Sequence, residues 1–177
     1  NVTHSIKQLA MENSEFYVEL NTDSDKVGAN GADNVIFTLR SNLGQQPQQL
    51  AKIASGGELS RISLAIQVLT SDQSAIPTLI FDEVDVGISG KTSVVGKLLR
   101  QLSERCQVLC VTHLPQVACH GHHQFNVEKF TVDNKTETQM TALSQAERVP
   151  ALARLLGGSE ITELALANAQ EMLDLVH

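Results

Sequence analysis

The sequence has no tryptophan, one tyrosine and five phenylalanines, so aromatic residues make up 3% of its 177 positions. It also lacks a basic excess: 13 Lys and Arg stand against 20 Asp and Glu, a net charge of -7. Binding a phosphate backbone needs clustered Lys and Arg, and gripping single strands needs aromatic platforms among them. A chain built as a nucleic-acid glove is therefore excluded, although DNA work by a larger assembly is not. Cys106, Cys110 and Cys119 are an odd count at scattered spacing. That excludes a disulfide scaffold and fits a reducing compartment. No apolar run approaches the roughly 18–20 residues of a membrane span. No charged-then-apolar leader opens the chain. It starts at Asn1 and not at Met, which reads as a piece of something longer or a processed product.

A phosphate-binding P-loop is missing too. Asp85-Val86-Gly87-Ile88-Ser89-Gly90-Lys91-Thr92 follows a strand pattern and ends in Gly-Lys-Thr. The motif requires Gly at its first position. Here that position is Asp85, whose charge would face the anion, so the segment reads as an ordinary helix start.

What is present is an ordinary globular composition, 42% hydrophobic and 19% charged. The length suits one domain burying roughly 70% of its unfolded-chain surface. Ile6, Leu9 and Ala10 give residues 2–11 a helical spacing. Phe16, Val18 and Leu20 alternate with Tyr17 and Glu19 as in a strand, and residues 35–40 read as a second strand. A Gly- and Asp-rich loop joins them, predicting an antiparallel pair, and residues 42–49 read as a polar loop.

In the middle, Leu59, Ile62, Ile66 and Leu69 form a helical stripe, and Val95, Leu98, Leu99 and Leu102 form another. The continuous apolar runs 78–81 and 108–111 flank the second helix. Strand, crossover helix and strand without a polar face predict a parallel βαβ unit covered on both sides. Residues 125–132 and 138–143 predict a hairpin around Asp133-Asn134-Lys135. Two closing helices, 149–156 and 161–176, are separated by Gly157-Gly158.

In an open parallel sheet, ligands bind beyond the carboxyl ends of the strands. Strand 78–81 ends in Asp82-Glu83, and its expected neighbour ends in Thr112-His113. Asp82 is placed to hold Mg²⁺ by its oxygens, Glu83 to deprotonate a water, and His113 to meet developing charge on a phosphate. Ser55-Gly56-Gly57-Glu58 opens the helix at Leu59, where two glycines and a helix N-terminus make an anion site. Ser55 and Glu58 also have the spacing of a capping box. Cys119-His120-Gly121-His122-His123 carries metal-ligand types. Cys106 and Cys110 stand about 13 Å apart on a strand, and Cys-x-x-Cys is absent, so a polar loop is the preferred reading over zinc.

Together these pieces resemble the carboxyl-terminal half of an ABC-type ATPase head. Ser55-Gly56-Gly57-Glu58 is similar to the signature motif, Leu79-Ile80-Phe81-Asp82-Glu83 to Walker B, and Val111-Thr112-His113 to the switch histidine. Glu58 and Asp82-Glu83-Val84-Asp85 resemble the chromosome-associated, SMC-like branch. Within it they are nearest to bacterial members that act in recombinational repair of DNA double-strand breaks. Lys52-Ile53-Ala54, Leu114-Pro115-Gln116-Val117-Ala118 and Ala153-Arg154-Leu155-Leu156-Gly157-Gly158 extend the match over nearly the whole chain.

The resemblance implies an α/β fold, mainly parallel sheet flanked by helices with antiparallel strands at the N-terminal side. Residues 1–12 would be the end of a coiled-coil helix and 13–177 the C-terminal lobe of the head. The implied ligands are ATP and Mg²⁺, with Glu83 and His113 catalytic, Asp82 on the metal, and Ser55, Gly56, Gly57 and Glu58 facing nucleotide held by a second head. Asp85 and Ser89 are both candidates for the D-loop contact across the dimer. The implied partners are an amino-terminal P-loop lobe, a second head in an ATP-sandwiched homodimer, and DNA through the full-length protein. The location is cytoplasmic and no membrane is involved. The competing functions are a transporter nucleotide-binding subunit, against which Glu58 and the missing Pro after Glu83 count, and a zinc-dependent nucleic-acid module on residues 119–123.

Overall fold

The computed structural model describes residues 2–176 except 24, 26, 30, 54, 72–75, 89, 91, 133, 134 and 159, with the side chain of residue 132 also left out. Helix α1 (Val2–Gln8) leads into an antiparallel sheet of β1 (Glu15–Thr22), β2 (Asp33–Arg40) and the short β3 (Gln48–Gln49). Register pairs Phe16 with Leu39, Val18 with Phe37 and Leu20 with Val35, which collects six apolar side chains on one face. Phe16 and Phe37 stack there at 5.7 Å between ring centres. The 42–49 loop thus contributes a strand that its polar composition hides.

A short 3₁₀ turn (Leu50–Lys52) precedes α2 (Gly56–Thr70), followed by β4 (Thr78–Phe81), α3 (Thr92–Leu102) and β5 (Gln107–Cys110). β4 and β5 pair in parallel, Leu79 opposite Val108 and Phe81 opposite Cys110, so the βαβ unit forms as expected. One face of the pair packs with Ile62, Leu64 and Ala65 of α2 and Val95, Leu99 and Leu102 of α3, in a core that also takes Ile6 and Leu9. Each fully buried Leu or Ile in it contributes about 1.5–3 kcal/mol. The opposite face is bare: Ile80 is 70% exposed, Leu109 44% and, just beyond the strand, Val111 62%. The expectation of cover on both sides is therefore corrected. Among the described residues, the helices that pack against this pair serve one side of it.

The α2 stripe also differs from the one expected. Ile62 is buried, but Leu59 and Leu69 are 43% exposed, and the buried face runs through Gly57, Arg61, Leu64 and Ala65. The face turns because Arg61 points inward, as described below.

After the one-turn α4 (Pro115–Ala118), β6 (Phe125–Val132) and β7 (Lys135–Ala142) form the expected antiparallel hairpin, with Asp133 and Asn134 lying outside the described residues. The closing helices are α5 (Gln145–Gly157) and α6 (Glu163–Asp174). α5 starts earlier than its apolar spacing suggests because Ser144 and Glu147 form a full reciprocal capping box. Gly158, at φ 78°, breaks it from α6, whose N-terminus is capped by Thr162. A second core joins Leu152, Ala153, Ala165, Ala169 and Leu173 with Cys119. No helix among the described residues is long and apolar enough to cross a membrane.

Candidate functional site

The chain returns from α2 to β4, which brings the N-terminus of the helix beside the carboxyl end of the strand. Ser55 caps α2 by accepting from Glu58 N at 3.4 Å. Asp82 and Glu83 follow β4 directly, and both are exposed. Ser60 Oγ donates to the Asp82 carbonyl at 2.9 Å, and Asp82 Oδ1 accepts from Glu83 N at 2.9 Å. Val86 N donates to the Glu83 carbonyl at 3.1 Å, closing a turn.

Glu83 sits at φ 58°, in the left-handed region. For a residue with a long side chain that costs about 1–3 kcal/mol and persists only where the surroundings over-determine it. The surroundings here do. Val84 is fully buried, and Arg61 Nη1 reaches from α2 to donate to Val86 O at 2.7 Å. Burial lowers the pKa of the Arg61 guanidinium, with the Glu58 charge opposing the shift. Among the described residues, the guanidinium's Nε has no hydrogen-bond partner.

The two glycines of Ser55-Gly56-Gly57-Glu58 have a use within this chain. A Cβ at Gly57 would lie 3.0 Å from Val86 O and 3.2 Å from Glu83 O, and one at Gly56 would run into Glu83 Oε2. Close approach by the backbone of the 83–86 turn thus requires glycine at position 57, while Gly56 faces only the end of the Glu83 side chain.

β5 delivers the third group. Val111 N donates to Phe81 O at 2.9 Å, extending the pair to the level of Asp82. Thr112 Oγ1 donates to Asp85 Oδ2, and Leu114 N donates to Thr112 Oγ1 at 3.0 Å. His113, between them, is exposed. Asp85 is 2% exposed and faces inward. Ser89 lies outside the described residues. Burial, followed by the Asp85 and Asp82 charges, pushes the Cys110 thiol up to about 12, so it stays protonated beside the carboxylates.

Gly56 and Gly57 therefore meet Glu83 directly, Ser60 of the same helix meets Asp82, and the residues flanking His113 are tied to the turn through Thr112 and Asp85. The spacing did not reveal Arg61 or Thr112. A charged residue on the small-residue side of α2, four positions after Gly57, is the signal that could have found Arg61.

A cleft of about 650 Å³ opens elsewhere, along β5 between α3 and the 120–125 segment, with Arg100, Cys106, His120 and Phe125 in its wall. Asp82, Glu83 and His113 lie outside it, on an open surface. The 119–123 segment is held by Arg148 of α5, 1% exposed, which donates to Gly121 O at 2.8 Å and Cys119 O at 3.2 Å. Cys119 faces the second core and His120 packs on Gly96 of α3. Among the described residues, no three His, Cys, Asp or Glu side chains stand together as metal ligands.

No protein-family model matches the chain. It is 96% identical over 178 residues to a DNA repair protein RecN of Haemophilus influenzae, covering 100% of this chain and 32% of that protein. The RecN of Vibrio cholerae is 58% identical over 173 residues, covering 97% and 31%. The chain belongs to the RecN family. It spans about a third of the length of these relatives. Relatives of this kind set aside the transporter-subunit alternative. A Pyrococcus yayanosii Smc head with coiled coil and joint matches this RecN-family chain at TM-score 0.63 and 17% identity, covering 86% of it and 28% of the Smc chain. A chain from work on ATP-driven dimerization and DNA-stimulated activation of SMC ATPases matches at TM-score 0.51 and 15% identity, covering 90% and 93%. The fold of the RecN-family chain is thus an α/β part of an SMC-type head.

Proposed function

We propose that this chain is the carboxyl-terminal half of an ATP-hydrolysing head in a protein that repairs DNA double-strand breaks by recombination. The supporting observation is that three elements converge on one open edge. The α2 N-terminus with its two glycines, the exposed Asp82-Glu83 pair and the exposed His113 share a surface and not a cleft. A shared, two-sided site needs such a surface, and the bare Ile80, Leu109 and Val111 beside it suit a lobe that completes the sheet.

The residues fit the chemistry. Asp82 is an exposed hard oxygen donor, suited to Mg²⁺, which prefers one or two carboxylates with waters and phosphate oxygens. Held there, the metal would supply positive charge to offset that of the phosphates. Glu83 orients the attacking water and takes its proton, and His113 contacts the γ-phosphate. Ser55, Gly56, Gly57 and Glu58 present backbone N–H groups and the helix dipole to nucleotide bound on a second head. Asp85 is 2% exposed, so the D-loop contact with that head falls to the exposed residues that follow it, from Val86 onward. An amino-terminal lobe carries the P-loop, residues 1–12 end a coiled-coil helix, and DNA is engaged by the full-length cytoplasmic protein.

Glu83→Gln in a head completed with a P-loop lobe tests this reading. It keeps size and hydrogen bonding but removes the base, so turnover should fall roughly 10²–10⁴-fold while an ATP-bound dimer accumulates. Asp82→Asn should instead weaken ATP binding. Size-exclusion chromatography with ATP, beside phosphate release, reads both. Near-normal turnover in Glu83→Gln refutes the base assignment, and loss of ATP binding in that variant shows the two carboxylates to be assigned the wrong way round.

A further inference from the structure

We propose that Asp85 and Thr112 form a buried latch that sets the position of Glu83 relative to His113, making both of them positioning residues. The inference rests on the ATPase-head reading above and assigns Asp85 an inward role.

A carboxylate out of water must be hydrogen-bonded or it destabilises the fold strongly. Asp85 is 2% exposed, and its Oδ2 receives the Thr112 hydroxyl across 27 positions of chain. A threonine hydroxyl has one proton and two lone pairs. Thr112 gives the proton to Asp85 and offers a lone pair to Leu114 N at 3.0 Å. The residues on both sides of His113 are therefore tied into one hydrogen-bonded chain that ends on the Glu83 turn. Both ends of that turn are also tied to α2, Asp82 O by Ser60 and Val86 O by Arg61. Glu83 occupies a left-handed conformation that the chain would leave if these ties were loosened. The loop leading to His113 and the turn carrying Glu83 come from different strands, β5 and β4. Beyond the backbone pairing, the Asp85–Thr112 bond is a side-chain link between them.

The geometry points to a defect in the chemical step when the link is cut. Thr112→Val keeps the shape and removes the hydroxyl; Thr112→Ser keeps the hydroxyl. In the full-length protein carrying this chain, Thr112→Val should lower kcat on the order of 10²-fold, the loss a 1 Å misplacement causes, with ATP affinity changed less than about threefold. Thr112→Ser should stay within about threefold of wild type. Asp85→Ala should match Thr112→Val, and the double variant should be no worse than either alone, because both remove one bond. Amide hydrogen exchange of residues 82–88 should accelerate in Thr112→Val and not in Thr112→Ser, whatever the turnover. Glu83→Gln runs alongside. If it abolishes hydrolysis while Thr112→Val turns over normally, the latch is wrong and the ATPase reading stands. If Glu83→Gln turns over normally, that reading fails, and the exchange comparison alone decides the latch. Equal exchange in Thr112→Val and Thr112→Ser overturns it.

Discussion

Gly57→Ala separates packing from nucleotide contact at the start of α2. In an isolated helix this change would help, because alanine in place of glycine stabilises by about 0.5–1 kcal/mol. The structure opposes that gain. The new methyl would stand 3.0 Å from Val86 O, 3.2 Å from Glu83 O and 3.3 Å from Arg61 Nη1. Two of these are backbone atoms of a turn pinned by buried Val84 and by Arg61, so neither can withdraw cheaply. Overpacking of this kind costs about 1–3 kcal/mol, so the mid-range net loss is about 1 kcal/mol. For a chain of this size that lowers the melting temperature by roughly 2–4 °C. Gly56→Ala is the control. Its methyl meets only the end of the Glu83 side chain, which can rotate away, so stability should hold. Thermal melts and urea titrations of the two variants beside wild type provide the measurement. Gly57→Ala as stable as wild type, or more stable, would refute the claim that the 83–86 turn is what requires glycine there.

Two more expectations follow from the same surface. The 177-residue chain alone should hydrolyse ATP negligibly, since the P-loop that positions the β- and γ-phosphates is missing; a phosphate-release assay with and without an added P-loop lobe measures this, and robust turnover by the pure chain would restore Asp85–Thr92 as a phosphate loop. With its pKa raised from 9.0 to about 12, Cys110 holds its proton up to strongly alkaline pH and loses it only as pH climbs through that value. At pH 8 about one thiol in 10⁴ is ionised, so maleimide labelling of Cys110 should run about 10³-fold slower than in the unfolded chain, as read by peptide mass spectrometry.

The amino-acid order by itself determined much of this protein. Apolar spacing placed α3 with its buried Val95, Leu99 and Leu102, and alternation placed β1 against β2. Continuous apolar runs marked β4 and β5 and so located Asp82, Glu83 and His113 at one sheet edge. These features were legible because helix faces and strand ends are set by neighbours one to four positions away. The Ser144–Glu147 capping box was equally local and could have set the start of α5. Only the tertiary structure decided which side of α2 turns inward, that Arg61 spends its guanidinium on Val86 O, that Asp85 faces Thr112, and that Gly57 makes room for the 83–86 turn. It also decided that one face of the β4–β5 pair stays bare. The physical reason is distance along the chain. A buried charge goes where a partner awaits it, and those partners lie 25 and 27 positions away, beyond the reach of any local pattern.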